Sequence, residues 1–188
     1  MEPVYPCRGR GGEAVLTVRH ATVEDVDALA KIVTACWQLA YRSIIPAEQL
    51  EALSWEERAE RFRGYWSEDR LILAAETERR VVGFARDAIA AGLPGYDAEI
   101  EALYVHPDNI RRGAGKLLVS EMVRRLYLPS GARNLCIHTL KGNVIGQSFY
   151  ERLGGNLVAE DVWSWNGGSY DAVWYGFDDL EPLVISSS

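Results

Sequence analysis

The chain has 188 residues, which can bury a substantial core in one domain but are too few for two domains of ordinary size. Hydrophobic residues make up 48% and charged residues 25%, so the composition excludes a wholly disordered chain. The 27 acidic residues outnumber the 20 basic ones, giving a formal charge of −7, and this balance argues against a nucleic-acid partner. No stretch approaches the ~20 consecutive apolar residues that cross a bilayer, so no membrane association is expected.

Three cysteines, Cys7, Cys36 and Cys136, have spacings that fit neither a disulfide framework nor a zinc site, and we predict no metal. Residues 1–12 lack the apolar stretch of a signal peptide, so we expect a cytoplasmic protein. Their arginines and glycines follow no strand, which favours a flexible tail over a phosphate loop. The predicted organisation is this tail, a single domain over residues 13–182, and a C-terminal tail over 183–188.

The first third of the chain predicts a strand followed by two helices. Residues 16–19 alternate like a short strand, and Thr22 caps a helix whose apolar residues keep helical spacing as far as Ala40. Ser54 and Glu57 form a capping box that opens a second helix towards Trp66.

The middle of the chain predicts three strands, over residues 71–76, 81–89 and 98–105. Gly113 opens a helix, residues 135–140 form another strand, and Asn143 caps a last helix that ends at Gly154. Residues 157–165 and 170–177 flank an Asn-Gly pair and predict a hairpin. The order of elements is that of a mixed α/β domain with one central sheet.

The segment from Leu103 to Leu118 joins the third predicted strand to a helix through a basic, glycine-rich loop. A helix N-terminus has free amides and partial positive charge, and glycine lets a bulky anion approach closely. The loop therefore fits a phosphate site, while an ordinary glycine-rich turn fits equally well. Its spacing is too short for a Walker loop, and Leu118 stands where a dinucleotide fingerprint needs glycine. The charged residues of the loop are Arg111, Arg112 and Lys116.

The segment from Asn143 to Gly155 is a capped helix with an aromatic stripe that includes Phe149 and Tyr150. Taken alone, Asn143 is explained as a helix cap and Tyr150 as a packed aromatic residue.

The order and separation of these two segments resemble the GNAT superfamily of acyl-CoA-dependent N-acetyltransferases. Members carry (Gln/Arg)-x-x-Gly-x-(Gly/Ala) after a strand ending Leu-Tyr-Val-x-Pro, and about 30 residues later Asn-x-x-Ala-x-x-Phe-Tyr-x-x-x-Gly-Phe. The likeness covers nearly the whole chain, from Val18 to Leu180. Three positions depart from the pattern: Ile110 replaces Gln or Arg, Gly146 replaces Ala, and Gly155 replaces Phe. We expect Gly155 to remove an apolar anchor.

The resemblance implies a central, mostly antiparallel sheet, flanked by helices, whose strands 98–105 and 135–140 splay apart to hold acetyl-CoA. It implies direct transfer of the acetyl group to an amine, with Tyr150 as general acid towards the departing thiolate. Backbone groups of the strand, the loop amides and Asn143 would bind the co-substrate. The implied cofactor-binding set is Leu103, Tyr104, Val105, Ile110, Arg111, Arg112, Gly113, Ala114, Gly115, Lys116, Asn143 and Tyr150.

A base must also remove the proton of the amine, because a protonated amine is not a nucleophile. Glu99 and Glu101 alternate with Leu103 and Val105, so all four are expected to project from one side of the strand. Glu101 is our candidate base, and Glu99 a substrate-binding residue. The alternatives are that either carboxylate faces solvent or neutralises an arginine, or that a base acts through water.

Trp37 and Tyr41 lie four residues apart on one helical face and are candidates to line the acceptor pocket, although a packed aromatic pair fits as well. Structural roles are expected for His106, which follows strand 98–105 beside the loop, and for His138 on the next strand. Tryptophans of the last hairpin face either the acceptor or a second subunit, so a homodimer is possible on this pattern.

The leading hypothesis is an N-acetyltransferase that modifies a small-molecule amine. The alternatives are acetylation of a protein N-terminus or lysine, and a non-catalytic domain that binds acyl-CoA as a regulator. The glycine spacing disfavours a P-loop nucleotide binder.

Overall fold

The structure is a computed structural model that describes residues 15–67 and 70–185. The predicted tail over residues 1–12, with Cys7, lies outside the described part of the chain. The strands are β1 Leu16–His20, β2 Ile72–Thr77, β3 Arg80–Asp87, β4 Ala98–Val105, β5 Leu135–Leu140, β6 Asn156–Trp165 and β7 Gly168–Phe177. The helices are α1 Val26–Ala40, α2 Ala47–Glu51, α3 Trp55–Gly64, α4 Ala114–Met122, α5 Leu128–Ser130 and α6 Val144–Arg152.

A single open sheet contains all seven described strands in the order β1-β2-β3-β4-β5-β7-β6. Every neighbouring pair is antiparallel except β4 and β5, which run parallel. A parallel pair needs a crossover connection, and here the crossover carries α4. The predicted fold class is thereby confirmed: a mixed α/β domain with a mostly antiparallel sheet flanked by helices.

The helices cover the two faces of the sheet and build two apolar cores. One face packs against α4 and α6, around Leu118, Met122 and Tyr150. The other packs against α1, around Leu29 and Val33. Burial of these side chains removes apolar surface from water and supplies the main stabilisation of the layers.

The predicted elements are confirmed with small changes at their ends, and the Ser54 cap is present, since its Oγ accepts the Glu57 amide at 3.1 Å. The hairpin turn has two residues, Asn166 at φ 48° and Gly167 at φ 77°, and this left-handed pair matches the twist of the strands. Short helix α2 and a π-helical turn over Val123–Tyr127 were not predicted.

The domain continues beyond the predicted boundary at residue 182. Leu183 is buried, Val184 packs against the α4 side of the core, and the Ile185 amide donates to Ser120 Oγ at 2.8 Å. The described residues 183–185 therefore belong to the fold rather than to a tail. No helix of residues 15–67 and 70–185 has the length and apolar character needed to span a membrane.

Candidate active site

Strands β4 and β5 are paired only at their start, where Ala98 faces Leu135 and Glu99 faces Cys136. Beyond that point the strands separate, as the family resemblance predicted. A cleft of about 720 Å³ occupies the gap and extends to the loop before α4 and to α6.

The separation leaves one edge of β4 without a neighbouring strand. Residues of an antiparallel strand bond alternately to one side and the other. The His106 amide donates to Val82 of β3 at 2.8 Å, so the backbone groups of Leu103 and Val105 face the opposite edge, which is the cleft. The Val105 carbonyl accepts the Cys36 thiol at 3.1 Å, and the other backbone groups of this edge can bind an extended chain of amides.

The loop between β4 and α4 forms one end of the cleft. Arg111 has φ 65° and Gly113 has φ 91°, so two left-handed residues turn the backbone just before the helix begins. Glycine takes this conformation without the strain that a Cβ brings. Arg111 and Lys116 line the cleft, whereas exposed Arg112 lies outside its wall. The other predicted loop residues that line it are Ile110, Gly113, Ala114 and Gly115.

Helix α6 forms the facing wall, and Asn143 fixes its first turn. Asn143 Oδ1 accepts the Gly146 amide at 3.1 Å, and Nδ2 donates to Thr139 Oγ1 at 2.9 Å. A Cβ at Gly146 would lie 2.6 Å from Asn143 Nδ2, so this position excludes alanine in the observed conformation. Asn143 lines the cleft while serving as the cap, and the departure at Gly146 fits the cap geometry.

Tyr150 projects from α6 into the same cleft, although only 6% of the residue is exposed. Its hydroxyl makes no hydrogen bond to the described residues. The hydroxyl oxygen is nevertheless not fully buried, so it is open to the cleft. Burial raises the pKa of Tyr150, and the nearby Tyr104 adds to the shift. The group therefore keeps its proton at neutral pH and remains a donor.

Gly155, which follows the end of α6, stands where the family pattern has phenylalanine, and a side chain from β7 packs against this position. A Cβ there would lie 2.7 Å from the ring of Phe177, which is 3% exposed. Phe177 of β7 fills the space beside Gly155, so the apolar anchor comes from another strand. The predicted loss of an anchor is wrong for this reason.

The prediction that Glu99, Glu101, Leu103 and Val105 share one side of β4 is also wrong. A bulge interrupts the pairing with β3 between Ile100 and Ala102. An inserted residue reverses the alternation of side chains beyond it. Leu103 and Val105 consequently pack on the α4 side, whereas the Glu101 carboxylate turns towards Arg86 on the α1 side.

Glu101 lines the cleft, but two arginines hold its carboxylate. Arg86 donates to Oε1 at 2.9 Å and Arg70 donates to Oε2 at 2.8 Å. Both oxygens of the carboxylate are thus engaged with guanidinium donors, which leaves neither oxygen free for the acceptor amine. This matches the alternative in which the residue neutralises arginine.

Glu99 is buried beside the cleft rather than in its wall. Its Oε2 accepts the Gly92 amide at 2.7 Å, and the Trp174 ring lies against the same glycine. Burial raises the pKa of Glu99, an effect that the Gly92 hydrogen bond opposes. The side chain ties the 88–97 loop to the sheet.

Of the two predicted aromatic acceptor residues, Tyr41 lines the cleft and Trp37 packs behind it. The Trp37 indole donates to Tyr104 Oη at 3.2 Å, and its ring meets Trp163 and Trp165 of the hairpin at 5.7 and 5.1 Å. Trp37 thus joins α1 to the hairpin, which leaves Tyr41 as the closer residue to any bound molecule.

Several residues of the cleft wall were not predicted to take part, among them Cys36 and His138. The Cys36 thiol donates to the Val105 carbonyl at 3.1 Å, and burial raises its pKa to about 12. His138 lies among the apolar residues of strand β5. A polar residue in such a strand is the sequence feature that could have indicated a functional role for His138.

Comparison with known proteins identifies the family to which the chain is similar. The sequence profile of the acetyltransferase (GNAT) family matches residues 27–155, which is more than half of the chain. An uncharacterized N-acetyltransferase, YuaI of Bacillus subtilis (strain 168), is 31% identical over 173 residues, covering 90% of this chain and 96% of that protein. The chain belongs to the GNAT family of acetyltransferases.

Solved structures of GNAT proteins share the fold. A GCN5-related N-acetyltransferase from Rhodopseudomonas palustris superposes with a TM-score of 0.67 at 24% identity, over 90% of this chain and 99% of the other. PaiA N-acetyltransferase from Thermoplasma acidophilum, in complex with coenzyme A, gives 0.65 at 22% identity, over 86% and 99%. YncA from Salmonella typhimurium, with acetyl-CoA, gives 0.63 at 19% identity, over 88% and 94%.

Proposed function

We propose that this acetyltransferase moves an acetyl group from acetyl-CoA to the amine of a small-molecule acceptor by direct transfer. The observation that carries the proposal is the cleft between β4 and β5, which brings a basic loop, an unpaired strand edge and Tyr150 together. The structural relatives that hold coenzyme A or acetyl-CoA support the choice of co-substrate.

The residues of the cleft fit this co-substrate in charge and shape. Amides from Ile110 to Lys116 and the Arg111 side chain would bind the pyrophosphate at the start of α4. A Cβ at Gly115 would lie 3.1 Å from Phe149, so glycine allows α4 and α6 to approach closely here. Backbone groups of Leu103 and Val105 on the open edge of β4 would hold the pantetheine amides, with Asn143 beside them.

Acetyl-CoA supplies an activated acyl group as a thioester. The chain then has two tasks, to hold the acceptor amine in its neutral form and to return a proton to the thiolate. The Tyr150 hydroxyl is a protonated donor that opens on the cleft, and we assign it the second task.

A small acceptor is favoured by the way the hairpin closes the α1 side of the sheet. The hairpin tip packs on α1 through Trp165, and Tyr170 Oη lies 3.4 Å from Gln49 of α2. These contacts cover the α1 side of the sheet beside Tyr41, and this cover supports a small acceptor over a polypeptide. The cytoplasmic location and the homodimer remain predictions.

Calorimetric titration with acetyl-CoA tests the co-substrate. We expect micromolar binding by the native chain and about tenfold weaker binding or more by Arg111→Glu, because a charge-assisted hydrogen bond contributes ~1.5–3 kcal/mol. Arg133→Glu makes the same charge change at a residue whose side chain is 86% exposed and outside the cleft, and should bind normally. No binding by the native chain would refute the proposal.

An acceptor screen tests the second substrate. Labelled acetyl-CoA is offered with a panel of small amines and, separately, with proteins of a cell extract. Label on the small amines supports the proposal, whereas label confined to proteins would identify a protein acetyltransferase. Binding of acetyl-CoA without any transfer would favour the regulatory alternative.

A further inference from the structure

His138 lies at the point where the sheet opens, on the acceptor side. Ile137 of β5 belongs to the core under α4 and α6, so the next residue, His138, projects from the opposite face, where α1 and the hairpin lie. Its side chain is 22% exposed and lines the cleft together with Glu101 and Tyr150. The imidazole and the Tyr150 ring therefore approach the cleft from different faces of the sheet.

Neighbouring side chains hold the imidazole in one orientation. The ring stacks on Trp174 with centroids 4.3 Å apart and planes at 23°. Its Nε2 is enclosed without a hydrogen-bond partner among the described residues, and it lies 3.9 Å from Asp161 Oδ2. Nδ1 has no such partner either and is not enclosed, so it is the nitrogen that can meet a molecule in the cleft.

The carboxylates of β4 are committed elsewhere. Both oxygens of Glu101 accept from guanidinium groups, and Glu99 lies behind the wall with Oε2 on the Gly92 amide. Of the titratable side chains in the described cleft wall, His138 is the one with an uncommitted nitrogen lone pair.

We propose that His138 is the catalytic base of this acetyltransferase and that Asp161 is its positioning partner. This rests on the proposed function, since it assigns the proton acceptor for the same transfer. Asp161 would accept a hydrogen bond from Nε2, which leaves the Nδ1 lone pair for the acceptor amine and stabilises the imidazolium once it forms.

The transfer balances with these two groups. His138 Nδ1 takes one proton from the acceptor ammonium, and the neutral amine then attacks the thioester carbonyl carbon. The new C–N bond forms, the C–S bond breaks, and the thiolate takes a proton from the Tyr150 hydroxyl. The nitrogen of the new amide still carries one proton too many, and this proton passes through solvent to the Tyr150 phenolate. His138 then releases its own proton to solvent.

Burial, rather than neighbouring charge, favours the neutral imidazole before the reaction. Burial lowers the pKa of His138 below 6.5, and the Asp161 carboxylate opposes that shift. The other titratable groups that line this cleft are Glu101 and Tyr104 on β4, Cys36 and Tyr41 on α1, Arg111 in the loop before α4, Lys116 on α4, and Tyr150 and Arg152 on α6. At neutral pH the imidazole is thus able to accept a proton.

Steady-state kinetics of acetyl transfer over pH 5 to 9 test the assignment. For the native chain we expect an acidic limb in kcat/KM with its midpoint below 6.5, because protonation of the base stops the reaction. His138→Gln should lower kcat about 100-fold or more and remove that limb. Its acetyl-CoA affinity should stay within about threefold of the native value, which shows that the cleft is intact. His20→Gln, at an exposed histidine of β1, is the matched control.

Asp161→Asn gives a second readout. Its side chain is half exposed, so we expect this variant to fold even if His138→Gln fails to fold. Removing the carboxylate should move the acidic midpoint downward and lower kcat about tenfold. If His138→Gln keeps kcat within threefold of native with the same limb, or Asp161→Asn leaves the midpoint unmoved, the inference is overturned while the proposed function stands. If the native chain binds acetyl-CoA but transfers nothing, both are overturned.

Discussion

Replacement of Tyr150 by phenylalanine removes one oxygen atom from the cleft and nothing from the core. The ring stays between Phe149 and Tyr175, whose centroids lie 5.7 and 5.6 Å away. Because the hydroxyl has no hydrogen bond to the described residues, the variant loses no protein contact of that kind. We therefore expect its melting temperature to stay within about 2 °C of the native value.

The kinetic loss should be large by contrast. A positioned acid or base contributes typically ~10²- to 10⁴-fold to a rate, or about 3 to 5 kcal/mol in the barrier. We expect Tyr150→Phe to lower kcat by that factor and to leave the calorimetric affinity for acetyl-CoA within about threefold. Transfer to the best amine of the acceptor screen is the assay.

Tyr175→Phe is the matched control, since the two rings are neighbours and only the hydroxyl environment differs. Tyr175 Oη donates to Glu151 Oε1 at 2.9 Å, and neither residue lines the cleft. Loss of that bond should cost ~1 kcal/mol of stability and leave kcat unchanged. If Tyr150→Phe retains kcat within fivefold, or if both variants lose activity equally, the assignment of Tyr150 as the acid is refuted.

Three further predictions concern the framework of the site. Gly155→Ala should destabilise the fold by ~1–3 kcal/mol, because its Cβ would overlap the buried Phe177 ring. Gly64→Ala is the control, since the space around its Cβ is open, and it should stabilise α3 by up to ~1 kcal/mol. Thermal unfolding measures both changes. Glu101→Gln should lower kcat less than tenfold and preserve the acidic limb of the pH profile, and loss of that limb would return the role of base to Glu101. Burial raises the pKa of Glu121, but hydrogen bonds from two arginines outweigh it and hold the pKa below 4.5. The folded state thus favours the ionised form, so Glu121→Gln should cost ~1–2 kcal/mol in urea unfolding at pH 7 and progressively less as the pH falls below 4.5.

Local patterns in the sequence were sufficient for the elements and for much of the cleft. The cap at Ser54, the Asn-Gly turn of the hairpin and the glycines before α4 act through contacts within a few residues, so their conformations can be predicted from neighbours alone. The same local geometry placed Asn143 at the start of α6 and Tyr150 on it. The spacing of the two motifs was enough to indicate the family.

The prediction from alternating side-chain directions was wrong at the bulge in β4. Period-two reasoning assigns Glu101 and Leu103 to one face, but one extra residue between two pairing positions reverses the faces, and nothing in the local sequence marks it. Glu101 consequently meets Arg70 and Arg86, which lie 31 and 15 residues away in the chain.

The sequence by itself determined the elements, because each depends on short-range hydrogen bonding, glycine geometry and hydrophobic periodicity, and the order of its two motifs indicated the family through which the binding loop and the candidate acid were predicted. Only the tertiary structure decided where the strands part, which carboxylates are neutralised and which nitrogen remains free. Asp161 reaches His138 from β6, and Phe177 replaces the missing anchor at Gly155 from β7. Such pairings depend on the register of strands distant in sequence, which the packing of the whole sheet fixes.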